Sequence, residues 1–224
     1  GGGRWTRVIL KVLSEIINND CYVYIHTKNC KNFMEEWIIK ENLSNKVFLI
    51  NNLNNINSKN IKIAIISNSP KDHFKSASWA LKKNLNVLIE KPLCINKKEF
   101  IQLKKLSKIS KGKLCAAHVF SYLSSLNIYK DLIPSINKIN QIKITWVDPE
   151  YEKRYGEIKN TFPKITMYLD ILPHIFSLIK TIWNTLPTTL SEVKLLEGSS
   201  VVSFETLING SRTKIKIERF GKKR

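Results

Sequence analysis

The sequence has no long apolar run, no cluster of cysteine and histidine, and few acidic residues. No stretch approaches the roughly 20 consecutive apolar residues that a membrane-spanning helix requires, and no basic-then-apolar secretory signal opens the chain. The four cysteines are widely spaced, without a CxxC pair or a Cys/His cluster at metal-ligand spacing. We therefore expect a cytoplasmic protein with free, buried thiols and with neither a metal nor a membrane partner.

Acidic residues are also scarce: 18 Asp and Glu stand against 37 Lys and Arg, which gives a formal charge of +19. Such a charge can indicate a polyanionic partner, because clustered Lys and Arg release counterions when they bind phosphates. Arginine, which is typical of phosphate and base recognition, supplies only six of these cations. We expect no nucleic-acid partner, and a basic nucleic-acid-binding protein remains the less favoured alternative.

The first part of the chain alternates between strand and helix patterns. At 224 residues with 43% hydrophobic content, the chain can bury a sizeable core. This alternation is typical of an α/β fold of Rossmann type, with a doubly wound parallel sheet. The predicted strands cover residues 21–27, 47–50, 61–66, 86–90 and 113–120, and the predicted helices carry apolar residues near 7–17, 33–38, 77–81 and 96–106.

The pattern changes after about residue 134. Predicted strands at 139–147, 193–196, 201–207 and 214–219 surround one strong helix at 171–183, which indicates an α+β unit with a mixed or antiparallel sheet. We therefore predict a Rossmann domain over residues 1–120 and a partial α+β domain over 121–224. No strand precedes the glycines at the start, and the chain stops directly after a predicted strand, so we expect both domains to belong to a longer protein.

A glycine-rich turn leads into the first predicted helix. Gly1-Gly2-Gly3-Arg4-Trp5-Thr6 fits the pattern G-x-G-x-x-G, with Thr6 at the third glycine position. Such glycines let the backbone approach a pyrophosphate at a helix N-terminus, where free N–H groups and the helix dipole favour anions. These six residues alone would fit a glycine-rich tag equally well, but the helix and strand that follow favour a cofactor turn. Its predicted members are Gly1, Gly3, Arg4, Trp5 and Thr6.

The end of the second strand in this fold meets the adenosine ribose, about 20 residues after the glycines. The sequence there is His26-Thr27-Lys28, without the carboxylate that NAD enzymes use to bind the 2′-hydroxyl. Thr27 and Lys28 could instead receive a 2′-phosphate. We therefore favour NADP over NAD, although Lys28 could equally be one of many surface lysines.

The most distinctive stretch covers residues 64–93 and reads AIISNSPKDHFKSASWALKKNLNVLIEKPL. It resembles the Gfo/Idh/MocA family of NAD(P)-dependent oxidoreductases, whose pattern is a strand, a small-polar-Pro turn, a downstream His, an alanine-rich helix, a second strand and Glu-Lys-Pro. The matching residues are Ser67, Asn68, Ser69, Pro70, His73, Ala77, Ala80, Leu81, Glu90, Lys91 and Pro92.

The resemblance implies roles for these residues. Lys91 would be the catalytic lysine that hydrogen-bonds the reacting oxygen and contacts the substrate, Glu90 would lie near the nicotinamide, and Pro92 would follow a cis peptide bond. The Ser67–Pro70 turn and His73 would belong to the cofactor site. A lysine beside a cationic nicotinamide can share a proton with the substrate. Without the flanking match, a surface lysine before a turn proline would be the simpler interpretation.

A second motif lies between Tyr168 and His174. Asp170 and His174 are four residues apart, so a helix places both on one face, and we expect Pro173 to be tolerated because it falls in the first turn. The spacing resembles the D-x-x-x-H motif of the family, in which the histidine acts as general acid/base and the aspartate orients substrate hydroxyls. Taken alone, Asp170 would more simply be a helix N-cap and His174 a core residue.

Three further residues are weaker candidates for the substrate site. His118 ends a predicted strand near the cleft, although a hydrogen-bonded core histidine fits as well. Arg154 and Tyr155 precede the motif helix and could contact a polar or anionic substrate group, but a solvated loop explains them equally.

The resemblance implies an enzyme that moves a hydride between NAD(P) and a carbinol or imine carbon of a small sugar-like or cyclic substrate. This reaction requires Lys91 and His174 to face one groove. Family members commonly associate through the open face of the second sheet, so a homo-oligomer is expected. Two alternatives stay open beside the nucleic-acid binder: an inactive relative that serves as a binding or regulatory module, and a cyclic-imine or amino-sugar reductase within the family.

Overall fold

The computed structural model describes residues 1–133, 138–149, 151, 153–154, 157–158, 165–196 and 200–221. The chain forms two compact units, Gly1–Ala117 and His118–Arg224. Among the described residues, no helix is both long and apolar enough to cross a bilayer.

The first unit alternates helices and strands along its whole length. Two 3₁₀ turns, Leu53–Asn55 and Ser58–Asn60, occupy the loop predicted at 51–60. The helices are α1 (Arg4–Ile16), α2 (Lys31–Lys40), α3 (Pro70–Lys82) and α4 (Lys97–Ile109), and the strands are β1 (Val23–His26), β2 (Val47–Ile50), β3 (Ile63–Ile66), β4 (Asn86–Glu90) and β5 (Leu114–Ala117).

All strand pairs in this unit are parallel, which confirms the predicted fold class. β1 pairs with β2, and β4 lies between β3 and β5 in a separate three-stranded sheet. The apolar faces of α1 and α2 pack on the first pair, and α3 and α4 pack on the three-stranded sheet. The buried residues of the first cluster are Leu10, Ile25, Met34, Ile38 and Val47, and those of the second are Ile66, Ala77, Ala80, Leu81, Leu85, Val87, Ile89 and Leu103.

The second unit is built on a mixed sheet, as predicted. Its strand order is β6-β11-β10-β9, with β6 and β11 parallel and the other pairs antiparallel. The described elements are α5 (Ser124–Leu132), β6 (Gln141–Pro149), β7 (Lys153–Arg154), β8 (Glu157–Ile158), α6 (Met167–Trp183), β9 (Ser191–Leu196), β10 (Val201–Ile208) and β11 (Ser211–Gly221).

Helix α6 supplies one side of the core of this unit. The fully buried side chains of Ile175 and Ile179 lie against Ile215 and Ile217 of β11, which alternate along the strand toward the helix. The helix ends at Asn184, whose left-handed conformation (φ 54°) is one that asparagine tolerates. The alternation of apolar residues in β10 and β11 therefore fixes which face of the sheet receives α6.

Three expectations about local structure were wrong. The strand predicted to reach residue 120 ends at Ala117 and continues as a 3₁₀ turn, Val119–Tyr122, followed by the unpredicted helix α5. Pro173 lies inside α6 rather than in its first turn, because the helix begins at Met167. The four cysteines are free, but none is buried: Cys115 is exposed and the other three are half-buried.

Candidate functional site

Three loops of the first unit meet at one edge of its strands. They are the glycine turn before α1, the turn Ser67–Pro70 after β3, and Glu90-Lys91-Pro92 after β4. Because the strands are parallel, the loops that follow β3 and β4 leave the sheet on the same side. Open α/β sheets bind their ligands at this carboxyl edge.

The glycine turn is packed tightly on one side and open on the other. A Cβ on Gly1 would lie 2.9 Å from the carbonyl oxygen of Ser67, and one on Gly2 would lie 2.7 Å from Cβ of Cys30. A Cβ on Gly3 would meet nothing within 4 Å. The first two glycines therefore allow close packing, whereas Gly3 borders the open space in front of α1.

Thr6 replaces the third glycine of the pattern without disturbing the packing. Its side chain is buried at 6% exposure, and its hydroxyl lies 3.0 Å from the hydroxyl of Ser67. A threonine fits here because the neighbouring loop supplies a hydrogen-bonding partner for the extra hydroxyl. This contact joins α1 to the turn after β3.

Trp5 connects the glycine turn to the Glu-Lys-Pro segment. Its indole Nε1–H donates to Oε1 of Glu90, which lies 85 positions later in the chain. The peptide bond between Lys91 and Pro92 is cis, as the resemblance implied. The side chain of Lys91 is half-buried.

His73 joins the turn after β3 to the loop after β4 from the buried side. Its ring is fully buried, with Nδ1 2.8 Å from the carbonyl oxygen of Pro92 and Nε2 3.1 Å from that of Asn68. Pro70 opens α3 at its first position, where the missing N–H costs no hydrogen bond. His73 thus fixes the relative position of the two loops from inside the protein.

Two buried polar atoms in these loops have no hydrogen-bond partner among the described residues. They are Nη1 of Arg4, in the first turn of α1, and Oδ1 of Asn68, whose amide Nδ2 donates to Oγ of Ser76 at 2.8 Å. Buried polar groups in folded proteins are nearly always paired. An unpaired guanidinium nitrogen in the first turn of a helix fits the pyrophosphate of a dinucleotide.

The end of β1 lies directly against the glycine turn. The backbone nitrogen of Gly1 donates to the carbonyl oxygen of His26 at 3.0 Å, and Oγ1 of Thr27 would be 2.8 Å from a Cβ on Gly2. Burial is the main cause that lowers the pKa of His26 below its usual value of 6.5, and the positive charge of Lys28 adds to it. Lys28 itself is exposed.

In the second unit, His174 packs against two aromatic rings. Its imidazole is stacked on the indole of Trp146 in β6, with planes 6° apart and centroids at 5.5 Å. Phe120 meets it edge to face at 5.1 Å and an angle of 86°. The rings of Trp146 and Phe120 also meet each other edge to face, with centroids at 5.9 Å, so the three rings form one cluster that limits the rotation of the imidazole.

Asp170 belongs to a buried charge cluster with Arg219 and Asp148. Arg219 donates from Nη2 to Oδ2 of Asp170 at 3.1 Å, and its Nε lies 3.6 Å from Oδ2 of Asp148. The two aspartates are 6% and 4% exposed. Asp170 is therefore not the N-cap of α6, a position held by Thr166.

The remaining substrate-site candidates are not brought into a defined arrangement. His118 directly follows β5 and is half-buried. The backbone of Arg154 pairs with Glu157 in the hairpin of β7 and β8, and Tyr155 lies outside the described residues. The sequence analysis missed four residues around the motif because each lies far from it in the chain: Trp146, Phe120, Arg219 and Asp148. The only available signal was that two of them, Arg219 and Asp148, are charged residues at the ends of predicted strands.

Comparisons with known proteins agree with this geometry. Residues 17–118 match the GFO_IDH_MocA model, described as an oxidoreductase family with an NAD-binding Rossmann fold. No curated protein matches the chain in sequence. Because the solved structures below share less than a fifth of their residues with the chain, they support the fold alone.

Many solved structures are similar to the chain, and three of them are described here. Oxidoreductase YvaA from Bacillus subtilis has a TM-score of 0.76 at 14% identity, over 100% of this chain and 64% of that protein. Myo-inositol 2-dehydrogenase from Lactobacillus plantarum has a TM-score of 0.75 at 18% identity, over 98% of this chain and 68% of that protein. UDP-N-acetylglucosamine 3-dehydrogenase GnnA from Acidithiobacillus ferrooxidans has a TM-score of 0.77 at 14% identity, over 100% of this chain and 69% of that protein. The chain thus spans about two thirds of these proteins.

Proposed function

We propose that the protein transfers a hydride between a nicotinamide cofactor and a carbinol or imine carbon of a small sugar-like or cyclic substrate. The match of residues 17–118 to the Gfo/Idh/MocA family of NAD-binding oxidoreductases supports the proposal. One observation carries the proposal. The glycine turn, the Ser67–Pro70 turn and the Glu-Lys-Pro segment are joined by side-chain contacts at the carboxyl edge of parallel strands.

The dinucleotide would bind along this edge. The open side of Gly3, the free N–H groups at the start of α1 and the unpaired Nη1 of Arg4 suit the two phosphates. Asn68 offers an unpaired amide oxygen for a cofactor hydroxyl or amide. His73 is fully buried, so we assign it the task of fixing the two loops rather than contacting the cofactor.

The nicotinamide, when bound, supplies or accepts the hydride. Lys91 would hydrogen-bond the reacting oxygen or nitrogen and share a proton with it, which is a common role for a lysine beside a positive charge. Glu90, held by Trp5, would face the nicotinamide end of the cofactor.

His174 is proposed to move the proton that accompanies hydride transfer. The contacts with Trp146 and Phe120 support this role because they restrict the imidazole, and a general acid must hold its ring nitrogen in a fixed direction. Asp170 is engaged by Arg219, so we propose that it anchors the start of α6, and with it His174, to the sheet. A direct role for Asp170 toward substrate hydroxyls remains a prediction.

We propose NADP as the preferred cofactor. The residues at the end of β1 include two cationic or hydroxyl-bearing side chains, Thr27 and Lys28, and no carboxylate for a 2′-hydroxyl. For the substrate, the names of the similar structures suggest the ring hydroxyl of a polyol or of a nucleotide-linked sugar.

Self-association of the intact protein through the mixed sheet is proposed on the exposed apolar side chains of its strands. Val193, Leu195 and Leu196 in β9 and Leu207 in β10 are each more than half exposed. Exposed apolar surface of this kind is commonly covered by another protein surface. Sedimentation of the intact protein would give the number of copies.

Titration of the intact protein with NADPH and NADH, followed by nicotinamide fluorescence, tests the central proposal. We expect saturable binding of both, with NADPH tighter. Failure of both to bind would remove the proposal, and tighter NADH binding would overturn the cofactor preference. Salt-sensitive binding to a DNA duplex without cofactor binding would instead select the nucleic-acid alternative. Oxidation of myo-inositol or UDP-N-acetylglucosamine would identify the substrate class.

A further inference from the structure

A hydrogen bond between the side chains of Trp5 and Glu90 joins two distant parts of the first unit. Trp5 lies in the first turn of α1, and its indole N–H donates to the carboxylate at the last residue of β4. Both side chains are half-buried. The contact joins the part of the site that would hold the phosphates to the part that would hold the nicotinamide.

The surroundings leave Glu90 little freedom. Its backbone is fixed in the sheet, where Glu90 is paired in register with Ala117 of β5. Its side chain is fixed by a hydrogen bond to a charged acceptor, which is stronger than a bond between neutral groups. The indole itself has only two side-chain torsions, so it acts as a rigid donor that loses little entropy when held in place.

We propose that Trp5 is a positioning residue for the nicotinamide end of the cofactor, and that it acts by holding the carboxylate of Glu90 in a single orientation. The proposal rests on the proposed function for the location of the nicotinamide beside Glu90. Trp5 lies in the first turn of α1, two residues after Gly3, so its fluorescence reports on the same segment of the chain.

A double-mutant cycle on the intact protein tests the proposal, with NADPH as the only probe. Trp5→Phe keeps an aromatic ring and removes the donor, and Glu90→Ala removes the acceptor. We expect each single variant to weaken NADPH binding about five- to tenfold, from the loss of one charge-assisted hydrogen bond. The double variant should bind NADPH about as tightly as the single variant with the lower affinity, because the two residues act through one contact.

Energy transfer supplies a second readout. The emission of an excited indole overlaps the absorption of a reduced nicotinamide, so binding of NADPH should quench tryptophan and excite the nicotinamide. We expect Trp5→Phe to remove a large share of this transfer even at saturating NADPH. Trp37→Phe is the matched control: Trp37 also packs in the first unit, on α2, and its substitution should leave the NADPH dissociation constant unchanged.

The outcomes separate this inference from the proposed function. If the wild-type protein binds no NADPH, the proposed function fails. If the wild type binds and Trp5→Phe binds equally well, the positioning role is refuted. The positioning role is also refuted if the double variant loses NADPH affinity by the product of the two single losses. Independent effects would mean that Trp5 acts through the packing of α1 and not through Glu90. Circular dichroism of each variant would show whether α1 and the fold are retained.

Discussion

Arg219 at the end of β11 donates to Asp170 in α6 at 3.1 Å, and the two side chains are nearly buried, at 11% and 9% exposure. The same guanidinium approaches Asp148 in β6, so one cation serves two carboxylates from different elements. Because the register aligns Arg219 with Asp148, the cluster lies at the end of the parallel pair β6 and β11. The start of α6, which carries His174 one turn later, is therefore held to the sheet by charge as well as by apolar packing.

Replacing Arg219 should cost more stability than replacing Asp170. Arg219→Met would leave two nearly buried carboxylates without this cation, and we expect a loss of about 3–5 kcal/mol in the free energy of unfolding. Asp170→Asn keeps the shape and leaves Arg219 paired with Asp148, so we expect a smaller loss, of about 1–2 kcal/mol. Urea unfolding of the three proteins measures the difference.

The exposed ion pair between Arg212 and Glu205 on the same sheet is a suitable control. Arg212→Met should change the unfolding midpoint little, because exposed pairs contribute little to stability. Equal effects of Arg219→Met and Arg212→Met would mean that the buried cluster has no special role.

Alanine substitutions in the glycine turn should separate folding from cofactor binding. Gly2→Ala places a Cβ 2.7 Å from Cβ of Cys30, so we expect a destabilisation of about 1–3 kcal/mol from overpacking. Gly3→Ala meets no protein atom and should leave stability unchanged, but it should weaken NADPH binding at least about tenfold by filling space that a phosphate needs. Thermal unfolding and NADPH titration of both variants distinguish the two effects. Undiminished NADPH binding by Gly3→Ala would place the phosphates elsewhere.

His26 should make NADPH binding depend on pH. Its pKa in the folded protein is lowered, chiefly by burial, so the imidazole is neutral at pH 7. A 2′-phosphate beside it would favour the charged ring, and binding would then take up a proton. We expect NADPH affinity to rise relative to NADH affinity as the pH falls from 7.5 to 5.5, by about tenfold for each unit by which the phosphate raises the pKa.

His26→Asn is the matched variant for this test, and it should remove the extra pH dependence of NADPH over NADH. Without cofactor, His26 acts on the stability of the fold in the opposite sense: a fall in pH is unfavourable. The unfolded chain, with the higher pKa, takes up the proton first, so this group costs stability as the pH falls below 6.5. Identical pH profiles for NADPH and NADH in the wild type would remove His26 from the ribose site.

His174→Ala should abolish turnover without affecting the cofactor. We expect kcat to fall on the order of 10²- to 10⁴-fold, the usual contribution of a general acid/base, while the dissociation constant of NADPH stays the same. Thr181→Ala, two turns later on α6, removes a hydroxyl that bonds the helix backbone at Ser177 and should keep full activity. Both are assayed with the polyol or nucleotide sugar that the wild type oxidises. Unaltered turnover in His174→Ala would favour a protein that uses the fold for binding or regulation.

Most elements of the fold could be predicted because their apolar residues repeat with the period of a helix or a strand. The predicted positions of α1, β1, β4 and α4 agree with the structure to within three residues at most of their ends. The helix α5 was missed, and its Ile128 and Leu132 are indeed at least two thirds exposed, so its sequence carries little of the burial that makes a helix recognisable. Pro173 misled the prediction of the start of α6 for a local reason: a proline usually marks a first turn.

The sequence by itself determined the alternation of elements, the parallel sheet and the resemblance to the family, because these depend on local patterns and on a contiguous motif. Only the tertiary structure decided what the motif residues contact. Trp5 and Glu90 lie 85 positions apart, and Asp170 and Arg219 lie 49 apart. The physical reason is that a side chain's partner is set by the packing of distant strands and helices, and the residues next to it in the chain contain no record of which distant group that packing will bring near.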